Sequence, residues 1–292
     1  MNLIDISSWQ QGISLPELFE RNSELDGVIV KLTQGMNYVN PPAKDWLAWL
    51  MGSGRPFGIY HYLDLYGARA EAEHFVQTAR TYIGKAVLAV DYEGNTLRKG
   101  TGYLKEFLDR VFQLTGVRPL VYVSQSFIAS QGFDAVASAG YQLWVAQYAD
   151  SAPVRGFLET PWHKGSVAPF KSYVMQQYTS CGVLNGWKSY LDFDKYFGTA
   201  EEWRAMCGAR PAPEPAPPAE LKGPDPVVVS EVLMNRYGVG QERIAKLREA
   251  GYDPQKVQAK IDELYGIAFK VKPLVAGNVE YMNSIVKIVK TI

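Results

Sequence analysis

The sequence predicts an α/β protein, an irregular (β/α) barrel of TIM-like type, followed by a small all-α module of three helices. Eight short apolar runs recur in the first 200 or so residues, with helical patterns between most of them. A Pro-rich stretch then leads into a segment with three apolar stripes at helical spacing. Strands that alternate with helices form a parallel sheet, and eight such strands close into a barrel.

The expected strands are 3–6, 28–32, 57–62, 86–90, 120–123, 142–146, 173–177 and 190–193. Connections after Gln142 are too short for full helices, so the last third of the barrel should be irregular and partly antiparallel. Residues 211–218 carry five prolines and form an extended spacer between two folded units. Beyond it, Val229, Val232 and Leu233 make one stripe, Ile244 and Leu247 a second, and Val257, Ile261 and Leu264 a third. Gly238-Val239-Gly240 and Gly251-Tyr252-Asp253-Pro254 interrupt them, with Pro254 suited to the start of the third helix. The resulting division is 1–208 for the barrel, 209–226 for the linker, 227–266 for the bundle and 267–292 for a tail that could dock, oligomerise or form a partial repeat.

Composition narrows the function. At 47% hydrophobic and 21% charged residues with zero net charge, the chain is that of a soluble globular protein with no global basic field for nucleic acid. Residues 227–292 are mildly basic, 10 Lys and Arg against 7 Asp and Glu, which suits an anionic polymer or a solvated surface equally. No apolar run approaches the roughly 20 residues of a membrane span, so no stable membrane association is expected. The N-terminus lacks the pattern of a signal peptide and reads as a first strand, so synthesis in the cytoplasm is expected. Cys181 and Cys207 read as free thiols, and His61, His74 and His163 are scattered without ligand spacing; neither a metal nor a cofactor is expected.

The chemistry lies at the strand ends. Asp91 and Glu93 are two residues apart at the end of an apolar run, so on an extended strand they project to one face. Two close acids can break a glycosidic bond, one protonating the leaving oxygen while the other stabilises positive charge at the sugar carbon. The remaining strand ends offer Asp5, Lys31 with Gln34, Tyr60 with Tyr62, Tyr122 with Ser124, Trp144 with Tyr148, Gln177, and Asp192 with Asp194. In barrel enzymes that rim holds the active site. Acids ringed by aromatics describe a carbohydrate cleft, because aromatic faces stack on the apolar faces of sugars.

Residues 1 to about 205 resemble the glycoside hydrolase family 25 lysozymes, the muramidases common among phage endolysins. The resemblance rests on Asp5-Ile6-Ser7-Ser8-Trp9-Gln10, Lys31-Leu32-Thr33-Gln34-Gly35, Gly58-Ile59-Tyr60-His61-Tyr62, Glu71-Ala72-Glu73-His74-Phe75, Asp91-Tyr92-Glu93, Trp144-Val145-Ala146-Gln147-Tyr148, and Gly182 followed by Leu191-Asp192-Phe193-Asp194. It implies Glu93 as general acid, with Asp5, Asp91 and Asp192 completing an acidic cluster, and Lys31, Tyr60, Tyr62, Tyr122, Trp144, Tyr148 and Gln177 binding substrate. Asp192 is preferred to Asp194 as the fourth acid, since Asp194 stands where the family pattern usually has Asn. Whether the second carboxylate is a nucleophile, a base for water or a group that orients the substrate's 2-acetamido carbonyl stays open.

Asn235 through Gly240, Arg243, Leu247, Ala250 through Asp253, and Val257-Gln258 resemble a single CW_7 cell-wall-binding repeat. That resemblance implies a three-helix bundle that binds a peptidoglycan fragment, with Arg243, Gly251 and Tyr252 as candidate contacts; Gly251 and Tyr252 could equally form only an interhelical turn. The expected function is cleavage of the β-1,4 bond between N-acetylmuramic acid and N-acetylglucosamine in bacterial walls, after release by a separate holin-like partner. Another barrel glycosidase, such as a chitinase or glucosaminidase, and a non-catalytic wall-binding protein are the alternatives.

Overall fold

A computed structural model of the protein describes residues 1–208 and 221–271, the last five by backbone alone. The chain divides into two compact units, Met1–Glu214 and Pro215–Ile292. The Pro-rich spacer and the tail segment beyond 271, with its apolar stretch 285–290, lie outside the described residues.

The first unit runs through β1 (Asn2–Ile6), α1 (Leu15–Arg21), β2 (Gly27–Gln34), β3 (Tyr38–Val39), α2 (Ala43–Ser53), β4 (Phe57–Tyr62), α3 (Ala68–Ala79), β5 (Val87–Asp91), α4 (Gly100–Thr115), β6 (Leu120–Ser124), α5 (Gln125–Gln131), α6 (Asp134–Ser138), β7 (Leu143–Ala146), β8 (Val154–Arg155), β9 (Met175–Val183), β10 (Leu191–Tyr196) and α7 (Ala200–Met206). Eight strands close in the order β1-β2-β4-β5-β6-β7-β9-β10. Neighbours from β1 round to β9 are parallel, whereas β9–β10 and β10–β1 are antiparallel. All eight expected strands are present, and the antiparallel seam falls in the last third, where no α-helix separates β7 from β9 or β9 from β10.

Strand periodicity sorts the side chains into two cores. Ile4, Val28, Val30, Ile59, Leu88, Val90, Val121, Val123, Leu143 and Val145 pack outward against the helices. Their neighbours Leu3, Ile29, Tyr60, Val87, Ala89, Leu120, Trp144 and Met175 fill the interior, joined by Trp203 and Cys207 from the α7 end. On the parallel strands the inward face continues toward the C-terminal end into polar groups, whereas the antiparallel β10 reaches the same rim near its N-terminal end through Asp192, contrary to the sequence expectation of a C-terminal strand end there. One alternation still sets both the core and the site. The longest helix of the barrel unit shows the complementary 3.6-residue period: α4 buries Leu104, Phe107, Leu108, Val111 and Thr115 and ends on Gly116 at φ +71°.

A buried polar cluster fixes the loop after β4. The Glu71 carboxylate accepts from the backbone N–H of Asp64 at 2.7 Å and of Tyr66 at 3.0 Å, and from the Tyr103 hydroxyl at 2.9 Å. His61 Nε2 donates to it at 3.1 Å, which leaves Nδ1 to accept from the Thr33 hydroxyl at 2.8 Å. Burial alone would raise the Glu71 pKa, but the His61 bond and these donors together hold it low, while burial keeps His61 neutral. The Glu71 motif is thereby a structural clamp on the rim.

The second unit holds α8 (Pro226–Leu233), α9 (Gly240–Glu249) and α10 (Pro254–Val271). Val228, Val229, Val232, Leu247, Val257 and Ile261 form its core, with Leu233, Tyr237, Tyr252 and Leu264 packed against it. Residues 221–226, assigned to the linker by sequence, are already held here. The Lys222 N–H donates to the Gly251 carbonyl at 2.9 Å, the Asp253 N–H donates to the Lys222 carbonyl at 3.1 Å, and the Asp225 side chain caps α8 ahead of Pro226. Backbone pairing and an Asp-Pro helix start carry no apolar period, so a search for apolar stripes begins the bundle too late. The helix α10 likewise runs five residues past the expected end of the bundle at 266.

Replacing Glu71 by Gln leaves one carbonyl acceptor where two carboxylate oxygens serve four donors. Glu71→Gln should therefore destabilise the barrel by about 1–3 kcal/mol, read as a lower melting temperature with the far-ultraviolet circular dichroism unchanged.

Candidate active site

The inward strand ends open into a cavity of about 340 Å³ lined by Asp5, Ser7, Trp9, Gln10, Lys31, Tyr60, Tyr62, Asp91, Glu93, Tyr122, Trp144, Tyr148, Gln177 and Asp192. Every barrel residue that the family resemblance implies as catalytic or substrate-binding is among them, whereas the strand-end residues Gln34 and Ser124 are not. Asp194 is not; it is wholly buried below this surface.

Strand register explains the assembly. Asp5 on β1 lies directly opposite Asp192 on β10, and directly opposed residues of an antiparallel pair carry side chains on one face. Lys31 pairs with Tyr60, Tyr62 with Asp91, Asp91 with Tyr122, and Tyr122 with Trp144, so the wall is continuous from β2 to β7. Glu93 lies just past the end of β5 in extended backbone, which preserves the same-face relation to Asp91. The turn after it needs a glycine: Gly94 has φ +60°, and a Cβ there would stand 2.7 Å from the Tyr62 hydroxyl.

Gln177 organises the opposite wall. Its Nε2 donates to Asp5 Oδ2 at 2.6 Å, while its Oε1 accepts from the Tyr122 hydroxyl at 2.7 Å and from the Tyr148 hydroxyl. Lys31 Nζ donates to Gln34 Oε1 at 2.7 Å and sits 4.5 Å over the Tyr62 ring. Among the described residues that line the cavity it is the one cation facing four carboxyls.

Burial pushes all four acids upward, and repulsion from neighbouring carboxyls adds to it for Asp5, Asp91 and Asp192. Asp5 rises to about 6, mainly from burial, against which the Gln177 bond acts. Asp192 rises to about 8 through burial, then the nearby Asp5 and Glu93. Asp91, whose Oδ1 is buried with no partner, is pushed well up by burial, then by Glu93 and Asp5. Burial also raises Glu93, opposed by Lys31. A proton is therefore available at the rim at neutral pH, as general acid catalysis requires.

Sequence reasoning missed Ser7, Trp9 and Gln10 as site residues. Ser7 caps a short 3₁₀ turn, its Oγ accepting from the Trp9 N–H while Gln10 Oε1 accepts from the Ser7 N–H. The turn holds the Trp9 ring 90% exposed at the cavity edge, a stacking face for a sugar. A Ser-x-x-Gln capping box directly after a strand whose penultimate residue is an acid was the available signal. In the second unit, Arg243 Nε donates to the Gly238 carbonyl at 3.0 Å and Nη1 to Gln258 Oε1 at 3.4 Å. Gly251 takes φ +81° in the turn before α10, and Tyr252 is half-buried against the bundle core.

An acid whose pKa is raised on folding binds its proton more tightly in the folded state, so its contribution to stability is full below the unfolded value and is lost as pH climbs through the folded value. For Asp192 that window runs from about 4 to about 8. Asp192→Asn lacks this liability, so its melting temperature relative to wild type should climb across the window in parallel thermal melts.

The model for "Glycosyl hydrolases family 25" matches residues 4–187, and that for "CW_7 repeat" matches residues 227–265. The chain is 27% identical over 199 residues to the autolytic lysozyme of Clostridium acetobutylicum, covering 67% of this chain and 56% of that protein, little more than half its length. It is 25% identical over 269 residues to the lysozyme of Streptococcus phage Cp-7, covering 89% of this chain and 69% of that one. The catalytic domain of endolysin ply40, from bacteriophage P40 of Listeria monocytogenes, superposes with a TM-score of 0.57 at 25% identity, over 71% of this chain and 97% of that domain. The acid-lined barrel mouth and a family match across most of the barrel agree: the chain belongs to the glycosyl hydrolases family 25, as a glycoside hydrolase of lysozyme type that also carries a CW_7 repeat.

Proposed function

We propose that the whole chain is a peptidoglycan hydrolase that cleaves the β-1,4 bond between N-acetylmuramic acid and N-acetylglucosamine, with the barrel (1–208) as catalyst and the helical unit as wall anchor. The observation that carries this reading is the pairing of Asp91 and Glu93 at the end of β5, inside a cavity that also gathers Asp5, Asp192 and Lys31. Glu93 protonates the glycosidic oxygen. It is half-buried at the rim and its pKa is raised, so it can hold the proton that an exposed glutamate would lose. Asp5, Asp91 and Asp192 supply the negative field that stabilises the developing positive charge at the sugar carbon. Tyr60, Tyr62, Tyr122, Trp144, Tyr148 and Gln177 shape the pocket, with Lys31 and Trp9 at its edge.

The CW_7 repeat anchors the enzyme to its insoluble substrate. Arg243, Gly251 and Tyr252 are the proposed contacts, with Gly251 also serving the turn through its left-handed backbone. Release from the host cytoplasm by a separate holin-like partner belongs to the same proposal; its support is the likeness to a phage lysozyme. Among the described residues no helix is long and apolar enough to cross a membrane. Oligomerisation through the tail is one of the three roles the sequence leaves open to it, and that segment lies almost wholly outside the described residues.

Glu93→Gln is nearly isosteric and should melt like wild type while turnover on purified peptidoglycan falls by about 10²–10⁴; normal wall clearing would remove Glu93 from the role. Reducing-end analysis of the wild-type digest should show muramic acid ends, and glucosamine ends would reassign the enzyme to glucosaminidase.

A protein shortened to residues 1–210 should still cleave soluble muropeptide oligomers but bind whole walls more weakly, because two linked contacts raise local concentration at one polymer. Arg243→Ala in the full chain should lower wall sedimentation while sparing turnover on soluble oligomers. Equal sedimentation of the full chain, the shortened protein and Arg243→Ala would give the helical unit a role in assembly or stability instead.

A further inference from the structure

One acid lies just beneath the cluster and takes no part in lining the cavity. Asp194, on the inward face of β10, is fully buried. Its Oδ1 accepts from the Trp144 indole N–H at 2.8 Å, and its Oδ2 has no conventional donor. Its register partner on β1 is Leu3, two residues before Asp5 on the same strand face, so the Asp5 and Asp194 carboxyls are diagonal neighbours, and a hydrogen bond between them contributes to the shifts of both. The other titratable groups around it are Asp192 on the same strand, Tyr178 on β9 and Tyr148 after β7, and no lysine or arginine among the described residues pairs with it.

A carboxylate accepts hydrogen bonds and donates none. Two ionised carboxylates in direct contact without a cation would repel strongly in a buried site, so one of them must keep a proton. Their surroundings decide which. Asp5 opens onto the cavity and has the Gln177 amide as a donor to its charged form; Asp194 is sealed and has only one neutral indole donor.

We propose that Asp194 is a neutral carboxylic acid whose single proton points from Oδ2 to Asp5, making it a positioning residue that holds the Asp5 carboxylate ionised and fixed in the cluster. The arrangement forms a directed chain. Trp144 donates to Asp194 and Asp194 donates to Asp5; from the other side Tyr122 and Tyr148 donate to Gln177, which donates to Asp5. Asp5 is the common acceptor of both arms. Burial and the neighbouring Asp5 and Asp192 drive Asp194 in the protonated direction.

The proposal rests on the assignment of Asp5 to the catalytic cluster, and two readouts separate its failure from failure of that assignment. The first is carboxyl ¹³C NMR of the full chain labelled at aspartate. The resonance that disappears in Asp194→Asn should keep the chemical shift of a protonated acid from about pH 5 to about pH 8, where free aspartate is ionised. A carboxylate shift at neutral pH overturns the proposal, whatever the activity.

The second readout is the pH profile of kcat/KM. Asp194→Asn offers an N–H to Asp5 and a carbonyl to Trp144, so its acid limb should stay in place and kcat should remain within about threefold of wild type. Asp194→Ala removes the donor to charged Asp5, so its acid limb should move to higher pH and kcat should fall by at least about tenfold with KM little changed. If Asp194 were ionised in the wild type, Asp194→Asn would remove a like charge and move the acid limb to lower pH, which also overturns the proposal. An Asp5→Asn variant with full activity would instead refute the catalytic assignment of Asp5, while the NMR result would still stand for the protonation of Asp194.

Discussion

Closure of the barrel through β1 is the constraint on which the rest depends. β1 pairs in parallel with β2 and antiparallel with β10, and the second pairing places Asp5 opposite Asp192. Like charges directly opposed across an antiparallel pair are destabilising, so this register works against folding at the very point where the chain closes. The remainder of the mouth is arranged around that penalty. Gln177 brings an amide donor to Asp5, Lys31 on the neighbouring β2 brings a positive charge near Asp91 and Glu93, and burial with repulsion keeps part of the cluster protonated.

The surrounding scaffold is correspondingly over-determined. Outward side chains on alternate strand positions bind helices to the barrel, while the Glu71 cluster ties the loop after β4 through two backbone N–H groups. Asp64, whose N–H that clamp holds, accepts from Gln34, and Gln34 accepts from Lys31. A buried carboxylate outside the cavity thus reaches Lys31 inside it through a short chain of hydrogen bonds. The clamp is costly to satisfy, needing a neutral histidine, two backbone donors and a tyrosine, and it serves to hold the rim to a single geometry.

Much of this was legible in the sequence because barrel strands announce themselves twice, once as apolar runs and again by the polar and aromatic residues that close each run. Asp91 and Glu93 illustrate it: the period of two gave their shared face, and the strand end gave their place at the mouth. Trp9 stands inside a recognisable motif without being marked by it, since a lone aromatic after a strand reads as core until the capped turn that exposes it is seen. The start of the helical unit falls earlier than its apolar stripes because backbone pairing through Lys222 leaves no periodic trace. Asp194 reads as the lesser acid; sequence alone cannot tell whether a carboxyl two residues from another lies at the cavity or beneath it, and the strand register decides that.

The charge balance of the mouth sets a limit on how the site can work. Four carboxyls line the cavity and a fifth lies under it, against one lysine among the described lining residues. Full ionisation would leave several uncompensated negative charges in a partly desolvated space, a state more costly than protonation. The site at neutral pH must therefore hold protons in common, and the geometry ranks the holders. Asp5, with the Gln177 amide as a donor to its charged form, rises less than Asp192; Asp91, with a buried unpartnered oxygen, is pushed well up. Glu93, half-exposed and opposed by Lys31, stands between the interior and the solvent. A group at that boundary can give its proton to a leaving oxygen and recover one from water, while the acids behind it keep the field negative. Sharing protons, which first looks like a compromise forced by crowding, is what allows one cluster to provide both an acid and an anion in the same few ångströms.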